Sequence, residues 1–357
     1  MDGTALIYCE GAFGRPEGKT ANGLVRFGRR YEILGVIDSE HSGRLAGDII
    51  SGVAKAIPVF SSLHQGIEAL RRRPDYLVIG FNPPDGRMPP QHRKVIRDAL
   101  KNGISVDSAL KPYIVDDAEF PGLTMQSSAK IRAVGYPKPL AQLRSYTGEI
   151  QEVGSARVAV VGTHSVVGKR TTTVRLTEAL QADGISTVMI GTGETSWFQG
   201  IRWTVILDAI VHKYVAGELE GVIVDAWRSV RPDVMVLEGQ GSVLNPSNPS
   251  GLELLTTARP SAIVMQHAPT HSSLEADDRF GMRTLERHIR TAELLSGAPV
   301  VAITLSPEGN SPEFFGEATT ALRSQFGLLV TDVIADGTQA LTGVVRDSIQ
   351  LSIDAAS

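Results

Sequence analysis

The chain holds a single cysteine, Cys9, in 357 residues. No intramolecular disulfide can form, and no metal site can be assembled from cysteines. No run approaches ~18 apolar residues, so no helix is expected to span a membrane. The first residues, MDGTALIYCEGAFG, lack the basic start and long apolar stretch of a signal peptide. A cytoplasmic protein with no membrane partner is the expectation. Charge of one sign is also scarce: 35 Lys and Arg stand against 39 Asp and Glu, a net charge of −4. Without a basic field, the composition gives no reason to expect nucleic acid as a partner. Neither an internal repeat nor a low-complexity tract is visible. What is present is an ordinary globular mix, 42% hydrophobic and 21% charged, in a chain long enough for two domains.

Short apolar runs alternate with longer amphipathic stretches. Strands are expected at Ala5–Glu10, Tyr31–Asp38, Ala56–Phe60, Asp75–Phe81 and Ser105–Ala109. Helices are expected at Ser62–Arg72, with Leu63, Ile67 and Leu70 on one face, and at Gln91–Asn102, with Val95, Ile96 and Leu100. This alternation implies a parallel sheet flanked by helices, an N-terminal Rossmann-like α/β domain over 1–115. From 116 to 155 glycine and proline punctuate a weaker pattern, read as a linker region. A second α/β domain is expected over 156–357. Its strands are Val158–Thr163, Ser186–Thr192, Val234–Glu238, Ala262–His267 and Val300–Leu305, with Leu328–Ala335 as a sixth. They are nearly continuous in apolar residues, as strands buried on both faces should be. Helices are expected at Arg170–Ala182, Thr204–Ala216, Ser273–Leu295 and Pro312–Gln325.

The strongest motif is RVAVVGTHSVVGKRTTT, Arg157 to Thr173. An apolar strand runs into Gly162, a loop follows, then Gly168-Lys169 opens a helix, which is the context of a P-loop. Glycines let backbone N–H groups approach phosphate oxygens, the helix N-terminus adds its dipole, and Lys169 adds a full charge. The expected cofactor-binding residues are Gly162, Thr163, His164, Ser165, Val166, Val167, Gly168, Lys169, Arg170, Thr171 and Thr172. The spacing is G-x5-G-K, one residue longer than the common form. Arg170 stands where a Ser or Thr would hold Mg²⁺.

In open parallel sheets, ligands sit at the carboxyl ends of the strands. Polar clusters follow several of these strands: Gly191-Thr192-Gly193-Glu194-Thr195, Glu238-Gly239-Gln240-Gly241-Ser242, Gln266-His267 with His271 beyond, and Ser306-Pro307-Glu308-Gly309. Glu238, Glu194 and His267 are the candidate catalytic bases. Thr192, Gly193 and Gln240 are candidates for substrate contact. No metal site is assigned. Trp197 and Phe198 are read as packing residues. In the first domain, Asp38 after the second strand resembles a dinucleotide fold superficially, but no G-x-G-x-x-G marks the first turn, so NAD is not expected. Lys19-Thr20 is read as a surface loop. Arg15, Asn82 and Arg87 are candidates for holding a carboxylate substrate.

The long P-loop resembles that of dethiobiotin synthetase and its relatives, GTDxxVGKT. Gly162, Thr163, Val167, Gly168 and Lys169 match; His164 stands in place of Asp and Arg170 in place of Thr. Across almost the whole length the chain resembles a bacterial and archaeal family that includes the D-glutamate N-acetyltransferases. That resemblance rests on Ile7–Ala12 with Thr20-Ala21, on Leu34–Ser39, on Gly162–Thr173, on Gly191–Thr195, on Leu207–Val211 and on Glu238–Ser242. It implies a P-loop NTPase-like second domain and an N-acetyltransferase acting on small molecules. Acetyl-CoA would be the cofactor, its diphosphate held by the P-loop, and the amine of an acidic D-amino acid the acceptor. It also implies a homo-oligomer. The dethiobiotin synthetase likeness implies instead an ATP- and Mg²⁺-dependent ligase or phosphotransferase that activates a carboxylate. A nucleotide-dependent switch for a partner protein is a third reading, which no long exposed apolar helix supports.

Overall fold

The computed structural model describes residues 1–53, 56–83, 85–125, 127–245, 250–269, 285–306 and 311–356. The chain forms two compact units, Met1–Lys138 with Glu194–Ile201, and Pro139–Gly193 with Arg202–Ser357.

The first unit contains β1 (Gly3–Tyr8), α1 (Lys19–Phe27), β2 (Tyr31–Ile37), β3 (Val59–Phe60), α2 (Leu63–Leu70), β4 (Tyr76–Ile79), α3 (Arg93–Lys101), β5 (Ser105–Ser108), α4 (Phe120–Thr124) and β6 (Ile131–Ala133). Its sheet is all parallel, in the order β3-β2-β1-β4-β5-β6. That order reverses between β1 and β4, the Rossmann-like arrangement. Ser62 starts α2 by accepting the Gln65 N–H at 3.2 Å. Residues 131–133, within the stretch read as a linker, form the edge strand β6 beside β5. Lys19-Thr20 is not a surface loop: it opens α1, and Thr20 is buried with its hydroxyl 2.8 Å from that of Thr195. Thr195 sits on α6 (Glu194–Gln199), a short helix belonging to this unit. There Phe198 is buried, and Trp197 lies under the Arg30 guanidinium, 3.9 Å from its ring centre.

The second unit runs β7 (Ala156–Gly162), α5 (Lys169–Ala182), β8 (Thr187–Gly191), β9 (Trp203–Thr204), α7 (Val215–Val230), β10 (Val234–Glu238), α8 (Leu252–Thr257), β11 (Ala262–His267), α9 (Leu285–Ser296), β12 (Val300–Leu305), α10 (Pro312–Phe326), β13 (Leu329–Thr331) and α11 (Gln339–Ala356). Its all-parallel sheet has the order β13-β12-β11-β7-β10-β8-β9. Because successive strand residues face opposite sides, Ala159 and Val161 enter one core while Val158 and Val160 enter the other. The first core holds Leu219 and Ile223 of α7 with Ile289 of α9. The second holds Leu176 and Leu180 of α5 with Leu341 and Val345 of α11. Double burial explains the apolar runs Val158–Val161 of β7 and Val234–Leu237 of β10.

One expected helix is absent. Residues 204–214 form β9's end and two short turns, and α7 begins only at Val215. Val205, Ile206, Ile210 and Val211 are β-branched, which disfavours helix. The Val205 and Leu207 N–H groups bond instead to the carbonyls of Gly191 and Thr192, continuing the sheet edge. Of the helix expected at Ser273–Leu295, the part from Leu285 is present and 273–284 lie outside the described residues.

Candidate active site

The P-loop opens at the carboxyl end of the second sheet. β7 delivers its last residue, Gly162, to the sheet's rim between β10 and β11. The chain then loops through 163–168 and enters α5 at Lys169, with Gly168 at φ 97° as the cap. Gly168 takes this left-handed turn at no steric cost, but Val166 also stands at φ 58°, where a β-branched side chain is strained. Among the described residues, the N–H groups of Val166, Val167 and Gly168 donate to no acceptor. Three successive unpaired amides leading into a helix N-terminus form a concavity that could hold an anion. The amide of Thr163, by contrast, is committed to the Gln266 carbonyl at 3.0 Å.

Lys169 is 7% exposed, and its Nζ donates to the carbonyls of His164 at 2.6 Å and Gly241 at 2.9 Å. A buried ammonium needs such acceptors. These two bonds hold its charge between the P-loop and the loop after β10. Thr172 is buried and its hydroxyl donates to Gln266 Oε1 at 2.5 Å; Thr304 donates to the same oxygen at 2.7 Å. Gln266 thereby ties α5 to β11 and β12. The Thr172 hydroxyl is thus committed to this internal network. Arg170, Thr171, His164 and Ser165 are half-buried, and Val166 is exposed at the tip.

Beside the loop, Glu238 ends β10 and is 5% exposed. Its Oε2 accepts the Thr192 N–H at 3.1 Å, while the Thr192 hydroxyl donates to the Glu238 carbonyl at 2.8 Å. Gln240 Nε2 donates to the Thr192 carbonyl at 2.5 Å. A side chain at Gly193 would collide with that same nitrogen, 2.5 Å from where its Cβ would stand. The N–H groups of Gly193 and Gly241 donate to no acceptor among the described residues. On β7's other side, His267 ends β11, with Nδ1 3.0 Å from the Thr163 hydroxyl; the same hydroxyl lies 2.9 Å from His164 Nδ1. One hydroxyl proton serves only one of them, so at least one imidazole carries its hydrogen on Nδ1. Ser242 and His288 form a further pair at 3.1 Å that sequence reasoning missed, because 46 residues separate them.

The second unit thus assembles the P-loop, Glu238, His267, Thr192, Gly193 and Gln240. Glu194 belongs to the first unit, where its carboxylate is 3.7 Å from Lys19 Nζ. Arg15, Asn82 and Arg87 are also in that unit. Arg15 is exposed and paired with Glu40 at 2.7 Å, Arg87 is exposed, and the half-buried Asn82 donates its backbone N–H to the Glu17 carbonyl. Asp38 is fully buried and accepts the Gly11 N–H at 3.0 Å, with His41 Nδ1 2.6 Å from its other oxygen. The residues 307–310 and His271 lie outside the described residues.

A Rossmann-like unit followed by a P-loop unit with this rim defines a class for which known relatives exist. The chain belongs to the DUF1611 family: the domain of unknown function described as its C-terminal P-loop domain matches residues 144–342, and the N-terminal Rossmann-like domain matches 39–137. A DUF1611 family protein from Anabaena variabilis is similar over 97% of this chain and 99% of its own, with 26% identity and a TM-score of 0.86. A D-glutamate N-acetyltransferase from a Pseudoalteromonas species is 26% identical over 77% of this chain and 82% of its own length. Another, from Tritonibacter scottomollicae, is 28% identical over 59% and 61%. No helix among the described residues is long and apolar enough to cross a membrane.

Proposed function

We propose that the protein transfers an acetyl group from acetyl-CoA to the amine of an acidic D-amino acid, with D-glutamate as the leading substrate. The observation that carries the reading is the trio of unpaired amides at Val166, Val167 and Gly168 beside the buried Lys169 ammonium. It suits the diphosphate of CoA. The names of the two acetyltransferase relatives support the reaction class.

In this reading Glu238 takes the proton of the attacking amine, because it emerges buried at the rim with one oxygen steadied by the Thr192 amide. The amine nitrogen then bonds to the thioester carbonyl carbon, the C–S bond breaks, and the thiol leaves with the proton. The N–H groups of Gly193 and Gly241 steady the oxyanion, each such donor being worth about 3 kcal/mol in typical cases. Gln240 and Thr192 contact the acceptor. His267 and Glu194 are the competing bases. Arg15, Asn82 and Arg87 are retained as candidates for the substrate carboxylates. Self-association and a cytoplasmic location complete the proposal.

A thiol-release assay with acetyl-CoA and a panel of D- and L-amino acids tests it. Release dependent on an acidic D-amino acid is expected. No release with any amine, together with binding of Mg-ATP, would transfer the site to the carboxylate-activating ligase chemistry.

A further inference from the structure

Resting on the reading that this loop holds a diphosphate, we propose that it does so without a divalent cation, and that Arg170 supplies the second positive charge. Where a P-loop chelates Mg²⁺, the hydroxyl of the residue after the lysine holds the ion. Here that residue is Arg170, half-buried on the first turn of α5.

The neighbouring hydroxyls do not replace it. Thr171 is rotated by about 100° around the helix from residue 170. Thr172 is 1% exposed and donates to Gln266. Thr173 returns to the face of residue 170, but roughly one turn deeper, ~5 Å along the axis. Its hydroxyl is fully buried and donates to the Lys169 carbonyl at 2.8 Å. The carboxylate at the adjoining strand end, Glu238, already receives the Thr192 amide on Oε2. Among the described residues, no group of three His, Cys, Asp or Glu side chains is placed to hold a metal.

Electrostatics points the same way. Two adjacent cationic residues, Lys169 and Arg170, repel a dication by the Coulomb energy with which they attract a dianion. The guanidinium also offers paired N–H donors that match two phosphate oxygens, which an ammonium does not. The ligand class is therefore a diphosphate ester taken up as the metal-free anion.

The test is calorimetric titration of CoA and of ADP into the full chain, with millimolar Mg²⁺ or with excess EDTA. It uses the wild type, Arg170→Thr and Arg170→Lys, with circular dichroism as the check on folding. CoA should bind the wild type with the same affinity, to about twofold, in both buffers. Arg170→Thr should lose on the order of tenfold in EDTA and recover part of it with Mg²⁺, since it restores the hydroxyl. Arg170→Lys should keep most of the affinity. A wild type that needs Mg²⁺ for CoA overturns the inference and leaves the acetyl-CoA reading intact. ADP binding without metal while CoA fails to bind overturns that reading and supports the inference. Undiminished affinity of Arg170→Thr in EDTA overturns the inference, and no binding of either ligand in any buffer overturns both.

Discussion

Thr192 holds Glu238 twice: its backbone N–H donates to Oε2 at 3.1 Å and its hydroxyl donates to the backbone carbonyl at 2.8 Å. The first bond orients the carboxylate, and the second locks the strand end from which it projects. Thr192→Val keeps the amide and the shape but removes the hydroxyl. It leaves a buried carbonyl short of a donor, at a cost of about 1–2 kcal/mol. In an acetyl-transfer assay kcat should fall on the order of tenfold with little change in KM for acetyl-CoA. Glu238→Gln should lower kcat much further, on the order of a hundredfold or more. Wild-type kcat in the valine variant would show that the Thr192 hydroxyl positions nothing of consequence.

The first unit depends on a buried charge. Asp107 is fully buried on β5 and accepts from Arg132 Nε at 2.8 Å, from Arg132 Nη2 at 2.6 Å and from the Tyr31 hydroxyl at 2.5 Å. Burial, with Asp107 beside it, pushes the Tyr31 phenol well above its ordinary range, so it stays a donor. Arg132→Leu would strand the carboxylate with one partner. The expected loss is about 3 kcal/mol in urea unfolding, and adding Asp107→Asn should recover part of it. A single variant that unfolds at the wild-type midpoint would contradict this.

Stability should also carry a pH signature from Asp332, which follows β13. Burial raises its carboxyl above the usual carboxylate range and nearby Asp336 adds to the rise, against the opposing N–H groups of Ile334 and Ala335. Among the described residues its Oδ2 is buried without a hydrogen-bond partner, which disfavours the charged form. The folded state then binds a proton that the unfolded chain releases. Stability is fully present below the unfolded value and is lost as pH rises through the folded one. Asp332→Asn should remove that loss. Its melting temperature should exceed the wild type's by about 2–4 °C per kcal/mol at neutral pH, and the gap should close toward about pH 4. A gap of constant size across that range would contradict the assignment.

Much of this was legible from the sequence, for identifiable reasons. The core strands of the second unit are buried on both faces, so their apolar runs show at once; β10, β11 and β12 begin and end where the composition places them. The P-loop is a local motif and can be read locally. What was hidden is non-local. The stretch from Thr204 has helical spacing of its apolar residues, yet the carbonyls of Gly191 and Thr192 draw it to the sheet edge. Glu194 reads as part of the loop after β8, but α6 packs in the first unit, where Thr195 meets Thr20 and Gln199 Nε2 donates to the Gly23 carbonyl. The Thr172–Gln266–Thr304 network joins residues far apart in sequence, and no spacing rule would find it.

The most direct measurement is a calorimetric titration of acetyl-CoA into the wild type and into Lys169→Ala. The ammonium now held by the His164 and Gly241 carbonyls is predicted to turn to the diphosphate. Its loss should weaken binding by about 2 kcal/mol, roughly thirtyfold. Equal affinity for the two proteins would contradict the account at its centre.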